Sequence, residues 1–398
     1  MKYDDVPFNP GYGVEPPRFA GRELVAHTIL LGLQRGPGRE EFLNIVTGGR
    51  GTGKTTLLDH LRRYVTSEWG WSTMKWAGRP SWSLAQLLAE EAPRIEHELR
   101  SPLQKVRSAL RPDSISARTP VGTITKNTEP NASLARSVTA TLRQLGQLAE
   151  HNNRTIVLFV DELQAVSAVD LAELSGTLQI VTNEEALPVA VVAAGLPSTR
   201  KVIGSIPGTT FIERQDEHRL GNLSVDAARD ALETPILAAG RRIDNDALER
   251  LVEASKGYPY AVQLAGKYTW IAAGESDDIN LRHAVAGIAG MTEKLEQNLY
   301  ETRWDNLTTN ERSYVLAASE IGDTDIPTLA IVTFLGRTQA AMSTVRDGLI
   351  NDRHLMRAGR HGHISFDIPG FADWVRDNRS SVEHVPHAPN VELPGGQV

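Results

Sequence analysis

The chain has no cysteine among its 398 residues, which excludes disulfides and thiolate-bound metal sites. It has no run of about 18 or more apolar residues, so no segment reads as a membrane-spanning helix. The N-terminal stretch Met1 to Gly13 lacks the apolar centre of a secretion signal. The expectation is a cytoplasmic protein with no membrane partner. Excess positive charge is also missing: 42 Lys and Arg stand against 49 Asp and Glu, a net charge of −7. Attraction to a polyanion over the whole surface is thereby excluded, and any nucleic-acid surface has to be a local patch. The length suits two or three domains, each able to bury its own core.

What the chain does have is a dense glycine cluster. Residues 45–58 read IVTGGRGTGKTTLL, with Gly48, Gly49, Gly51 and Gly53 between a β-like run (Phe42 to Val46) and a helix-like stretch starting near Lys54. A loop so poor in Cβ atoms can turn its backbone N–H groups around an anion. Gly48, Gly53, Lys54 and Thr55 fill the fixed places of G-x-x-x-x-G-K-[ST], in the strand–loop–helix context that motif requires. The expected ligand is a triphosphate, ATP or its product ADP, cradled by Gly48, Gly49, Arg50, Gly51, Thr52, Gly53, Lys54, Thr55 and Thr56. Lys54 would neutralise β- and γ-phosphate oxygens, Thr55 would take one Mg2+ position, and the helix N-terminus adds a favourable dipole. The alternative is a glycine-rich turn with a chance lysine.

A phosphate grip needs a partner that holds the metal and activates water. TIVLFVDELQ (155–164) supplies one: an apolar run ending in Asp161 and Glu162 reads as a buried strand that delivers two carboxylates at its C-terminal end. Asp161 would hold Mg2+ through water, and Glu162 would orient or deprotonate the attacking water. Further strands are expected at 72–77, 188–195 and, as a fifth, 209–214, with helices over 83–99 and 133–150. This alternation predicts a three-layer α/β domain with a parallel sheet. The stretch 111–131, rich in Pro, Ser, Thr and Asn, predicts an inserted loop or hairpin.

These motifs, with FNPGYGVEPPRFAGRE before the loop and AAGLPS, FIERQDEHRLGNLS and SKGYPYAVQLAG after it, resemble the AAA+ ATPases of actinobacteria and their phages. Those are similar to origin-recognition initiators and to STAND-type switch ATPases. The resemblance runs from about residue 8 to 377. It implies a P-loop NTPase core over 21–218, an N-terminal arm (1–20), an all-α lid (219–298) and a winged helix–turn–helix (299–380); beyond it the tail (381–398), with Pro386, Pro389 and Pro394, reads as flexible. It implies that Pro17, Phe19 and Gly21 line the base pocket and that Arg22 braces it; an arm merely packed on the domain is the other reading. Pro259, in Gly257-Tyr258-Pro259-Tyr260, would touch nucleotide from the lid, or simply make a turn between helices. Arg214, placed at the end of the fifth strand, matches a conformational or trans-acting arginine of a homo-oligomer. An ordinary capping or salt-bridged arginine fits as well. Two departures point to slow turnover: the fourth strand ends Ala193-Ala194-Gly195 with no Asn, Ser or Thr at once after it, and Tyr260 stands where a sensing arginine is usual.

The C-terminal part begins with Thr308-x-x-Glu311, a capping box before an amphipathic helix. A second helix near 326–335, a third over 338–351 and a hairpin turning at Gly359 to Gly362 predict the winged helix–turn–helix. Between 337 and 363 five arginines (Arg337, Arg346, Arg353, Arg357, Arg360) face two aspartates, Asp347 and Asp352. That local excess sits where recognition helix and wing would meet duplex DNA. Such modules also dock proteins or autoinhibit. The two resulting functions are an ATP-controlled DNA-binding ATPase and a signalling switch with a protein partner.

Overall fold

A computed structural model describes residues 6–11, 13–79, 82–100 and 137–378. The expected insert at 111–131, residues 133–136 of the expected helix and the expected tail from 381 lie outside the described residues. The described residues form two compact units, one within 23–48 and 54–219, the other within 6–22, 49–53 and 220–378.

The first unit holds, in chain order, α1 (Glu23–Arg35), β1 (Leu43–Gly48), α2 (Lys54–Ser67), β2 (Ser72–Ala77), α3 (Leu84–Leu99), α4 (Val138–His151), β3 (Ile156–Asp161), α5 (Ala168–Leu178), β4 (Val189–Gly195), α6 (Thr199–Gly204), α7 (Thr210–Glu213) and β5 (Asp216–Leu220). The sheet order is β2-β3-β4-β1-β5. Every residue of β1, β3 and β4 is buried, as the centre of a parallel sheet covered on both faces requires. The parallel registers set Thr47 beside Gly195, Val160 beside Ala193 and Ala77 beside Asp161. The ends of β1, β3 and β4 therefore emerge at one edge of the sheet. Local capping starts the helices: Ser83 forms a capping box with Gln86, and Ser137 and Ser167 accept from the N–H groups of Ala140 and Asp170.

The fifth strand is displaced from its expected place. Residues 210–213 are helix, and the strand is Asp216–Leu220. The Thr209 hydroxyl donates to the carbonyls of Ile203 (2.6 Å) and Ile206 (2.7 Å), and Ile212 is buried. The β-branched run thus serves a turn and a core contact. An edge strand can instead be polar, and in β5 only Leu220 is buried. Arg214 consequently caps a short helix and is exposed; it does not end a strand.

The second unit continues with α8 (Val225–Ala238), β6 (Arg242–Ile243), α9 (Asn245–Ser255), α10 (Pro259–Ala273), β7 (Asp278–Ile279), α11 (Leu281–Leu295), α12 (Glu301–Asp305), α13 (Thr309–Ile321), β8 (Ile326–Pro327), α14 (Thr328–Phe334), α15 (Gln339–Asn351), β9 (Met356–Ala358), β10 (His363–Phe366) and α16 (Phe371–Asn378). Ser224 caps α8. Between α9 and α10 the backbone turns at Lys256 and Gly257, both with positive φ, and Pro259 opens α10. A Cβ on Gly257 would lie 2.2 Å from the Leu223 carbonyl oxygen, so only glycine fits there. The N-terminal arm packs through Phe8, which is buried against Gly266 of α10.

Thr308 and Glu311 form the capping box of α13. The expected second helix is shorter than 326–335: Ile326 and Pro327 pair with β10, and the helix starts at Thr328, whose N–H donates to the Gly362 carbonyl (2.8 Å). The small antiparallel sheet has the order β8-β10-β9. Phe371 stacks on Trp374, Tyr300 and Phe366 meet this pair edge-on or tilted, and the Tyr300 hydroxyl donates to the Pro369 carbonyl (2.6 Å).

Two glycines give opposite expectations. A Cβ on Gly287 would come within 2.0 Å of Thr269 Oγ1 and 2.6 Å of its backbone nitrogen, so Gly287→Ala should lower stability in denaturant unfolding by about 1–3 kcal/mol. Gly176 in α5 has open space at that position, and Gly176→Ala should raise stability by about 0.5–1 kcal/mol.

Candidate functional site

The site begins where β1 stops. After Gly48 the chain turns through Gly51 (φ +77°) and Gly53 (φ +89°) before α2 starts at Lys54. A Cβ on Gly53 would meet nothing, so the backbone conformation, not crowding, selects glycine there. Lys54 is only 6% exposed, and its ammonium donates to the Gly48 carbonyl at 3.0 Å. Thr56, the third residue of the same helix, is half-buried.

The next residue joins the two motifs. The Thr55 hydroxyl donates to Asp161 Oδ2 at 2.8 Å, across 106 residues of sequence. Asp161 is 4% exposed. Burial pushes its carboxyl above the ordinary range, against the stabilising hydrogen bonds from Thr55 and from the Glu162 N–H (2.9 Å to Oδ1). A divalent cation bound by oxygen ligands would offset that burial, and Mg2+ characteristically takes one or two protein oxygens while keeping waters and phosphates. A buried ammonium beside a glycine loop and an acid–hydroxyl pair at the strand end are donors that fit a nucleotide phosphate and Mg2+.

Glu162 follows in a left-handed conformation (φ +52°). Its carboxylate accepts from the Gln164 side-chain amide. The Gln164 carbonyl oxygen in turn accepts from the Leu196 N–H (3.0 Å) and the Thr199 hydroxyl (3.4 Å). A Cβ on Gly195 would lie 2.3 Å from Thr199 Oγ1 and 3.0 Å from Gln164 Oε1, so the small residue at the end of β4 lets this bridge close. Gln164 thus bridges the Glu162 carboxylate to the end of β4, a contact that sequence reasoning missed; the only local signal was its place directly after Asp161-Glu162-Leu163. Thr199, set apart in the sequence from the strand end, is buried and joined to the same bridge. Arg214 makes no hydrogen bond or ion pair with these groups among the described residues.

Residues 49–53 belong to the second unit. There the Thr52 hydroxyl donates to the Gly49 carbonyl (2.8 Å), and Arg22 donates to the carbonyls of Thr52 (3.2 Å), Gly21 (3.3 Å) and Gly221. Arg22 thereby braces the loop's backbone. Gly21 (φ +70°) packs so closely that a Cβ would lie 2.6 Å from that of Ala227, and Phe19 is half-buried. The Tyr258 hydroxyl donates to the Arg50 carbonyl at 2.7 Å, and Gly51 is a glycine because a Cβ would sit 2.2 Å from that hydroxyl. Pro259 is the first residue of α10, next to this contact, and Tyr260 accepts from Asn298 (3.1 Å).

The arginines of the C-terminal part are mostly engaged. Arg346 pairs with Asp347 (2.9 Å), Arg353 with Glu311 (3.1 Å), Arg357 with Asp367 (3.5 Å) and Arg360 with Asp325 (2.9 Å). Arg337 is exposed and in no ion pair among the described residues. The Glu311 carboxyl lies below its usual range: burial works against this, and the hydrogen bonds from Arg353 and Thr308 outweigh it.

Among the described residues no helix is long and apolar enough to cross a membrane. Residues 18–192 match the family model described as AAA ATPase domain, and residues 297–375 match a domain of unknown function. No curated protein matches the chain. Among solved structures, the Walker-type ATPase of Pyrococcus abyssi is 15% identical, with 90% of this chain and 96% of that one covered and a TM-score of 0.61. The ORC2 protein of Aeropyrum pernix, in its ADPNP-ADP complexes, is 13% identical over 94% of this chain and 96% of its own, with a TM-score of 0.60. At such identity the likeness concerns the fold. Residues 18–192 are thus similar to AAA ATPase domains, and the chain has the P-loop AAA+ fold.

Proposed function

We propose that the protein binds ATP with Mg2+, hydrolyses it slowly and uses the nucleotide state to control duplex DNA binding through a winged helix at 299–380. The observation that carries the nucleotide part is the hydrogen bond from Thr55 to Asp161, with buried Lys54 folded onto Gly48 beside it. On this reading Lys54 leaves the Gly48 carbonyl for a phosphate oxygen, and Thr55 and Asp161 direct their oxygens to the cation. Bound Mg2+ supplies charge neutralisation on the phosphate oxygens. Glu162 takes a proton from the attacking water, held in its orientation by Gln164. Turnover is slow because β4 ends in Ala193-Ala194-Gly195, and the Thr199 hydroxyl beyond it is directed to Gln164. Phe19, Gly21 and Pro259 are assigned to the base side of the nucleotide, and exposed Arg214 to a neighbouring copy.

The DNA part is supported by the placement of Arg337 ahead of α15, Arg346 on it, and Arg357 and Arg360 on the hairpin. Arg337, Arg357 and Arg360 are exposed. Exposed ion pairs such as Arg360 with Asp325 are weak, so a DNA phosphate can replace the carboxylate. Arg353, half-buried on the capping-box glutamate, is better placed as a brace. A second reading, in which the module docks a protein and restrains the switch, is favoured by the pairing of Arg353 and Arg357 with Glu311 and Asp367.

Three variants test the nucleotide assignment. Lys54→Ala is expected to abolish ATP binding in equilibrium titration, and Glu162→Gln to keep binding and lose phosphate release. Gln164→Ala should keep affinity within about twofold and slow turnover by about 10-fold or more, the range in which general-base positioning acts. ATP affinity in Lys54→Ala equal to wild type contradicts the assignment. For the output, the double variant Arg357→Ala, Arg360→Ala should weaken duplex binding for all sequences alike. The slope of log K against log salt should fall by up to about two units. Unchanged binding at every salt concentration favours the docking module.

A further inference from the structure

We propose that Asp367 is a built-in competitor for phosphate at residues 49–53, and that Arg303 is the cation contested between Asp367 and the nucleotide. The inference rests on the ATP reading above and concerns how residues 297–375 sense an occupied loop.

The geometry lies within one unit. Gly49 opens the loop segment whose backbone N–H groups are suited to an anion. A Cβ built on Gly49 would lie 2.7 Å from Asp367 Oδ2, so a carboxylate is packed against the backbone at the place that calls for negative charge. Asp367 is brought there by a rigid support. It follows directly on β10, its N–H donates to the Leu355 carbonyl (2.9 Å), and two residues later the Pro369 carbonyl accepts from the buried Tyr300. The carboxylate therefore reports the position of the whole hairpin.

Two guanidiniums attend it. Arg357 Nη1 is 3.5 Å from Asp367 Oδ1. Arg303, on α12, is half-buried and donates to the Arg353 carbonyl (3.0 Å). Its surroundings include Arg50, Tyr258 and Asp367. Burial, and then the like charge of Arg50, hold its pKa below the ordinary arginine value, while Tyr258 and Asp367 act the other way. Half-buried Arg303, with exposed Arg50 as a like charge and the Asp367 carboxylate packed against a phosphate-type loop, forms an anion site filled from within. An incoming polyphosphate brings more negative charge than Asp367 supplies. It repels Asp367, takes Arg303, and so withdraws a support from the hairpin that carries Arg357 and Arg360. The same residues restrain the loop when nucleotide is absent.

Mg-ATP titration of wild type, Asp367→Asn and Arg303→Gln tests this, together with amide hydrogen exchange of wild type with and without ATP. If Asp367 occupies the loop about nine times in ten, removing its charge should tighten ATP binding about tenfold. Arg303→Gln should weaken it by a similar factor. In wild type, ATP should raise amide exchange across 356–366. Asp367→Asn with wild-type or weaker affinity overturns the proposal, as does unaltered exchange over 356–366 in the ATP-bound wild type. Should the variant fail to fold, the exchange measurement on wild type decides. A wild type that binds no ATP overturns both this proposal and the nucleotide reading. A wild type that binds ATP, with Asp367→Asn indistinguishable from it, overturns only the role of Asp367.

Discussion

A carboxylate kept almost out of water at the end of β3 is the constraint on which the rest depends. Asp161 is buried among apolar strand residues, and its carboxylate accepts from one threonine hydroxyl and one backbone N–H. Burial without a full counter-charge is costly, and a fold retains such a group where a ligand completes it. β1 and α2 bring Thr55 to Asp161, the parallel registers align the strand ends, and Glu162 is turned away into a left-handed conformation where Gln164 holds it.

The glycine loop obeys a second constraint, close approach. Gly51 and Gly49 leave room for the Tyr258 hydroxyl and the Asp367 carboxylate, and Arg22 ties the carbonyls of Thr52 and Gly221 together. A loop with side chains at 49 and 51 would exclude both contacts. The motif's glycines therefore serve two purposes, conformation at Gly53 and proximity at Gly49 and Gly51. This gives residues 220–378 a physical hold on the loop through side chains that no phosphate-binding consensus specifies.

What was legible in the sequence was local or periodic. The central strands read correctly because a strand buried on both faces is largely apolar, and Thr308 announced its helix because the cap and its partner Glu311 lie three residues apart. β5 was misplaced because a charged edge strand, Asp216–Leu220, follows a β-branched segment that is used for a helical turn. The roles of Gln164 and Asp367 were not legible at all. Their partners lie 32 and 35 residues away for Gln164, and Asp367 is paired through the fold with Arg357 and Gly49. The arginines of 337–363 were visible as charge, but their pairing with Glu311, Asp325 and Asp367 depends on the tertiary structure.

The central claim is that the Thr55–Asp161 pair and Lys54 form a site for a nucleotide triphosphate with a divalent cation. Calorimetric titration of the wild-type protein with ATP, in the presence of Mg2+ and again in the presence of a chelator, tests it most directly. The account predicts one site per chain, with binding clearly weaker when Mg2+ is removed. No binding, or an affinity that does not depend on Mg2+, would contradict it.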